Sequence, residues 1–196
     1  MNRFPVKNIS IKKLSILFVY IAVSLLAISD SGVQLLILHT IGPYSRTLRL
    51  IAMWLLFAKV LLTRYSKKEF FLLVPLSVLA LYNYTLAGNI YCVYCILVIA
   101  SLKEVDYPTL FKSLFWSTFG TLLFVGVLSF LGIGSPIQLT QDFGRGVVET
   151  RYCIGLYHPN IWHFAIGRCI IYFCLGYYKK LNFIHLIAAF ILNYFV

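Results

Sequence analysis

Residues 70–102 read Phe70-Phe-Leu-Leu-Val-Pro-Leu-Ser-Val-Leu-Ala-Leu-Tyr-Asn-Tyr-Thr-Leu-Ala-Gly-Asn-Ile-Tyr-Cys-Val-Tyr-Cys-Ile-Leu-Val-Ile-Ala-Ser-Leu102, which is 33 residues without a formal charge. A helix crossing a bilayer core of about 30 Å uses about 20 residues, so this run is too long for one upright crossing. Divided in two, it gives helices of about 16 residues, or roughly 24 Å each at 1.5 Å per residue. Asn83, Gly88 and Asn89 offer a turn between them. One crossing or two here decides the side on which every later segment lies.

The rest of the chain alternates in the same way. Leu14–Ser29 is the first span, with Lys12 and Lys13 able to snorkel at its foot. Its basic start, apolar stretch and small residues near Ala27 resemble a secretory signal. More spans follow, so it reads as an uncleaved first helix. Asp30, Ser31 and Gly32 interrupt it, and Val33–Ile41 is a short apolar run at the outer interface, ending at Gly42-Pro43. Leu48–Leu62 is the second span, starting as early as Tyr44, and Arg64, Lys67 and Lys68 follow it. Beyond residue 102 come a loop marked by Lys103, Glu104, Asp106 and Pro108 and a span over Leu110–Leu131. A polar Gly-containing loop, Gly132–Asn160, leads to a span over Ile161–Tyr178, closed by Lys179 and Lys180. Another span begins at Phe183 and runs to Val196.

Positive charge chooses between the two topologies, because loops rich in Lys and Arg stay cytoplasmic. With two helices in 70–102 and a cytoplasmic N-terminus, twelve cations lie inside: Arg3, Lys7, Lys12, Lys13, Lys59, Arg64, Lys67, Lys68, Lys103, Lys112, Lys179 and Lys180. Four lie outside: Arg46, Arg49, Arg145 and Arg151. With one helix the balance falls to ten inside and six outside, as Lys103, Lys112, Lys179 and Lys180 move out and Arg145 and Arg151 move in. The two-helix arrangement predicts an all-α polytopic bundle of about seven transmembrane helices, one domain over 1–196, with the 132–160 loop outside.

Composition agrees. Of 196 residues, 61% are apolar and 12% charged, against about 25% charged in soluble domains. A soluble chain of this size cannot hide so much apolar surface. The 17% of aromatic residues suits interfacial belts. The net charge of +11 sits in short gaps between apolar runs. It forms no stripe of the kind that tracks nucleic acid. Cys92 and Cys95 have C-x-x-C spacing, yet no Cys or His nearby completes a zinc site. The five cysteines read as small apolar packing residues, and no metal or cofactor is expected.

In this arrangement all ten lysines are cytoplasmic, the four outer cations are all arginine, and Arg168 falls within a span. Topology does not ask for arginine outside. Arginine's planar fork grips phosphate in a bidentate way; arginine paired with lipid phosphates or with Asp30, Asp142 and Glu149 is the simpler account. The outer loop ends Gly144-Arg145-Gly146-Val147-Val148-Glu149-Thr150-Arg151-Tyr152-Cys153-Ile154-Gly155-Leu156-Tyr157-His158-Pro159-Asn160. Pro159 and Asn160 suit a helix start, with Asn160 as the expected cap. Helix N-termini attract anions. Together with Arg151 and His158 this makes either a diphosphate seat or an ordinary solvated loop. Arg46 and Arg49 stand three apart, so a helix presents both on one face. Arg168, seven residues into its span, is costly in lipid and should face the bundle interior.

The stretch Arg151-Tyr-Cys-Ile-Gly-Leu-Tyr-His-Pro-Asn160 resembles the Arg-Tyr-Ser-Leu-Gly-Phe-x-His-Pro-Asn segment of bacterial O-antigen and capsular polysaccharide polymerases, relatives of the O-antigen ligases. Arg, Gly and His-Pro-Asn agree, while Cys153 and Leu156 stand where Ser and Phe are usual. The resemblance covers about ten residues. It implies a glycosyltransferase of the bacterial plasma membrane that joins repeat units carried on undecaprenyl diphosphate, without metal or nucleotide sugar. Its partners would be lipid-linked oligosaccharide, membrane lipids and other polysaccharide-assembly membrane proteins. Arg151 would grip the donor diphosphate and stabilise the charge that develops as it leaves. His158 would orient phosphate, act as acid or base, or serve only the His-Pro-Asn turn. Arg145, Arg46, Arg49, Asn160 and Arg168 would add substrate contacts.

Family members are about twice this length and carry a second outer loop with further site residues, so the chain is expected to be an N-terminal half that makes no polymer alone. A transporter or flippase for an anionic lipid would use the same arginines; mid-span Gly or Pro would favour it, and Pro75 reads as near a helix end. A non-catalytic membrane fragment would bind partner helices through small residues such as Ser113, Ser117 and Gly120.

Overall fold

In the computed structural model the chain is mostly helical, and the structure describes residues 11–32, 42–88, 90–133, 136–156, 158–185, 187, 188 and 191. The order is α1 (Ile11–Gly32), α2 (Gly42–Leu62), α3 (Lys67–Ala87), α4 (Tyr91–Ser101), α5 (Tyr107–Phe130), β1 (Gln138–Asp142), β2 (Val148–Tyr152) and α6 (Pro159–Tyr177), with a 3-10 turn over Tyr178–Lys180. α1, α3 and α5 are long and apolar enough to cross a membrane. α2 and α6 are 21 and 19 residues long, but they carry Arg46, Arg49 and Lys59, and His163 and Arg168. A bundle of seven spans is therefore a finer statement than the fold supports. The expected stretches Val33–Ile41 and, for the most part, Phe183–Val196 lie outside the described residues.

Two compact units make up the chain: Met1–Ala22 with Ile51–Val105, and Val23–Leu50 with Asp106–Val196. α1 and α2 contribute to both.

In the first unit, the uncharged run does divide in two, but unevenly. α3 starts at a capping box: Ser66 Oγ accepts the Glu69 N–H at 3.3 Å, and the Glu69 carboxylate accepts the Ser66 N–H at 2.6 Å. It ends at Gly88, whose φ of +63° and N–H to Tyr84 O (2.9 Å) make a left-handed cap. Asn83 is inside the helix. This leaves α4 only 11 residues, about 16 Å, well short of a bilayer core. α4 nonetheless returns to the start of α3. Tyr65 donates its hydroxyl to Ala100 O at 2.9 Å, and Lys103 Nζ donates to Arg64 O at 2.9 Å and Glu69 at 2.6 Å. Pro75 stands inside α3 as its ninth residue, not near its end, so one i→i−4 hydrogen bond is missing in mid-helix. Almost every apolar side chain of α3 is exposed, and Ala80 is its one buried residue. A helix apolar on all sides is one that is buried, in a large protein core or in a membrane. Lys59 stands in the last turn of α2 and is buried there, with Nζ 3.5 Å from Ser15 Oγ.

The second unit is built on α5 and α6. Asp106 caps α5 by accepting the Thr109 N–H at 3.0 Å. α6 runs back along α5. At one end Trp116 Nε1 donates to the Tyr177 hydroxyl at 3.2 Å, Lys112 Nζ lies 5.1 Å from the Tyr177 ring centre, and Gly176 lets the backbones approach closely. Leu122, Val125, Leu156, Ala165 and Cys169 form the core between them, with Phe115, Ile161 and Trp162 against it. Ser24 of α1 meets Ser113 of α5, Oγ to Oγ, at 2.8 Å.

Candidate functional site

The 132–160 segment is not an unstructured loop, and the chain is not wholly α-helical. β1 and β2 pair antiparallel, with Leu139 opposite Arg151 and Gln141 opposite Glu149. Glycine and threonine, poor helix formers, favour this outcome. Thr140 and Thr150 share a cross-strand hydrogen bond of 2.8 Å. Asp142 ties the turn by accepting the N–H groups of Gly144 and Arg145 at 2.8 Å and of Gly146 at 3.1 Å. That carboxylate serves the backbone and not an arginine.

Gly155 fixes the hairpin to α5. Its φ is +82°, and a Cβ there would lie 2.7 Å from Val125 Cγ1 and 2.8 Å from Val125 O. Only glycine fits both the left-handed backbone and the approach. Cys153 and Leu156 on either side are each 1% exposed, and burial pushes the Cys153 thiol above its ordinary pKa. The two positions where Ser and Phe would stand in the resembling motif are thus packing positions. The Cys153 N–H donates to Ile137 O at 2.8 Å.

Glu149 and Arg151 lie two apart on one strand, so both side chains leave the same face. Arg151 donates from Nε to Glu149 Oε2 at 2.8 Å and from one terminal nitrogen to the same oxygen. Arg145 reaches the other oxygen of Glu149 at 3.7 Å. Two arginines therefore share one acid, and the cluster keeps one positive charge. Arg151 is the more buried of the two arginines, with 25% of its side chain exposed against 69% for Arg145.

Phe143, which sequence reasoning did not single out, links the two expected catalytic residues. The Arg151 guanidinium lies 4.6 Å from the centre of its ring, a cation–π distance. The His158 ring meets it edge-on at 5.6 Å. The only sequence signal was an aromatic residue one position after a turn-forming Asp. Arg151 Nη1 has no partner among the described residues, so half of the fork stays open.

His158, not Asn160, caps α6. Its Nδ1 accepts the Asn160 N–H at 3.2 Å, Pro159 takes the first helical position, and Asn160 is exposed in the first turn. Accepting at Nδ1 puts the proton of a neutral ring on Nε2. Of the remaining candidates, Arg49 donates from Nε to Ser29 Oγ at 3.1 Å, and Arg46 is exposed one turn earlier on α2. Neither is among the partners of Glu149 or Phe143. Arg168 lies on a different face of α6 from the α5 contact, beside Asn160, His163, Phe164, Gly167 and Ile171. The structure thus groups Arg151, Arg145 and His158, with Asn160 next to His158, and does not join Arg46, Arg49 or Arg168 to them by any contact described above.

Among the described residues no three of His, Cys, Asp and Glu come together as metal ligands would. No protein-family model, curated protein or solved structure matches the chain.

Proposed function

We propose that the chain belongs to a multi-pass plasma-membrane glycosyltransferase, which polymerises oligosaccharide repeat units carried on undecaprenyl diphosphate. The observation that carries this reading is the joint packing of Arg151 and His158 on Phe143 at the helix start, within the ten residues that resemble the polymerase segment. Around it the hairpin sits at the end of α5–α6 opposite Lys112, Lys179 and Lys180, which suits an outer-face site under the positive-inside rule.

In the reaction, a hydroxyl of the acceptor sugar attacks the anomeric carbon of the donor, and the bond from that carbon to the diphosphate oxygen breaks. The electron pair leaves on the diphosphate, and the proton of the attacking hydroxyl passes to solvent water. Arg151 stabilises the departing anion through the open side of its fork, while Glu149 and Phe143 hold the guanidinium plane in place. His158, with its proton on Nε2, is a donor to a phosphate oxygen and not the base.

Arg151→Ala in the full polymerase abolishes polymer while insertion and protein level stay normal. Arg151→Lys keeps the charge and loses the fork, a cost of about 1.5–3 kcal/mol for hydrogen bonds to a charged group, or roughly tenfold to a hundredfold in rate. Near-normal polymer from the lysine variant, read on a polysaccharide gel, removes Arg151 from the site.

A transporter or flippase for an anionic lipid is the second reading, and one observation favours it: Pro75 interrupts α3 in mid-helix.

A further inference from the structure

Halfway along α6, Arg168 is an arginine without an acid among the described side chains. Its Nε is buried and has no hydrogen-bond partner among the described residues. Its guanidinium takes part in none of the ion pairs of the described residues. The chain has six acidic residues. Glu69 is held by Lys103, Glu104 by Lys12, and Glu149 by Arg145 and Arg151. Asp106 caps α5, and Asp142 ties the hairpin turn. Asp30, in the last turn of α1, is the sixth. The residues outside the described set contain no Asp or Glu.

Arg168 lies nine residues after Pro159, about 13 Å along the helix. That is near the middle of a 30 Å core, below the reach of lipid phosphates at the surface. It opens on a groove of about 420 Å³ that runs along α6 past Asn160, His163, Phe164 and Gly167. These positions recur at three and four, one helix face. Gly167, next to the arginine, adds no side chain to hold a neighbouring helix away.

We propose that this face of α6 docks a transmembrane helix from another protein segment, and that the helix brings a carboxylate to Arg168 at mid-membrane depth. Charge complementarity selects this occupant. An unpaired arginine inside a bilayer is costly, such residues pair within bundles, and each of the five acids just described is already engaged elsewhere. The inference rests on the part of the functional reading that puts α5–α6 in a membrane, and not on polymerase activity.

The test uses the full chain, donor-labelled, in phosphatidylcholine vesicles, with acceptor-labelled Leu–Ala helices of about 21 residues. One helix carries a central Glu, a second Gln, a third Leu. The Glu helix is expected to bind about tenfold more tightly than the Leu helix. Arg168→Leu removes that advantage. Arg168→Gln, which stays polar and loses only charge, removes the preference of Glu over Gln. Equal energy transfer for the three helices overturns the proposal. So does a gain in Glu-helix binding on Asp30→Asn, which would mean that Asp30 holds Arg168 in the native chain. Displacement of the Glu helix by farnesyl diphosphate, in wild type but not in Arg168→Gln, overturns it in favour of an anionic lipid in the same groove. Polymer assays on Arg151 variants bear on the catalytic reading alone, so the two failures are distinguishable.

Discussion

The two ends of the α5–α6 pair are built alike and charged differently. At each end a glycine lets two backbones meet: Gly176 against Lys112, and Gly155 against Val125. At each end a cation lies over an aromatic ring, Lys112 over Tyr177 at 5.1 Å and Arg151 over Phe143 at 4.6 Å. At the lysine end, Lys179 lies over the Tyr178 ring at 5.7 Å, and among the described residues no ion pair includes Lys179 or Lys180. At the arginine end, one carboxylate holds two guanidinium groups and a histidine closes the helix. Topology alone is satisfied by positive charge of either kind. Two guanidinium groups fixed around one acid and one ring lose side-chain freedom, a cost that an anchoring charge does not need to meet.

The largest expected difference between the two ends is all-or-none. With native cysteines removed, a single cysteine at Arg145 is expected to react with an impermeant thiol reagent on whole cells. One at Lys179 should react only after lysis. The reverse pattern would put the arginine end inside and end the functional reading.

Exchanging cations sharpens it. Where Arg151→Lys lowers polymer tenfold or more, Lys112→Arg and Lys179→Arg should leave it unchanged, because membrane anchoring needs charge and not a fork. The two glycines come next. Gly155→Ala meets backbone at 2.8 Å and a left-handed φ, so it should cost about 3 kcal/mol. Gly176→Ala, helical and 3.0 Å from its neighbours, should cost less, and a comparison of Tm in detergent checks the order.

Smaller still is the cap. His158→Ala should cost about 1 kcal/mol, and His158→Asn, a good cap, should restore it. If His158 also touches substrate, the Asn variant regains Tm but not polymer; full recovery of both would leave the histidine a cap only. At the lysine end the matching cap is Asp106. The Thr109 hydroxyl, then the Thr109 N–H, holds its carboxyl below the ordinary value. A depressed folded-state pKa stabilises above the unfolded value and is lost as pH falls through the folded one. Stability of this end should therefore fall in acid below about pH 4. An Asp106→Asn variant with the same acid profile would show that another group is responsible.

What the sequence determined by itself was what depends on local pattern. Apolar runs and their charged flanks located α1, α2, α5 and α6 to within a few residues. The break in the uncharged run came at Gly88, because a left-handed cap favours glycine wherever it occurs. The grouping of Arg151, Arg145 and His158 was legible from their spacing in one short segment. What it left to the tertiary structure depends on neighbours. The unequal lengths of α3 and α4 follow from the capping box at Ser66 and Glu69, which starts α3 three residues before the apolar run. The β-hairpin replaced a loop because cross-strand pairs, not any single residue, stabilise a sheet. The cap passed from Asn160 to His158 because backbone dihedrals decide which side chain can turn back onto the free N–H groups. Phe143 acquired its place between Arg151 and His158 only when β1, β2 and α6 came together, since a contact between residues eight and fifteen positions apart has no periodicity to announce it.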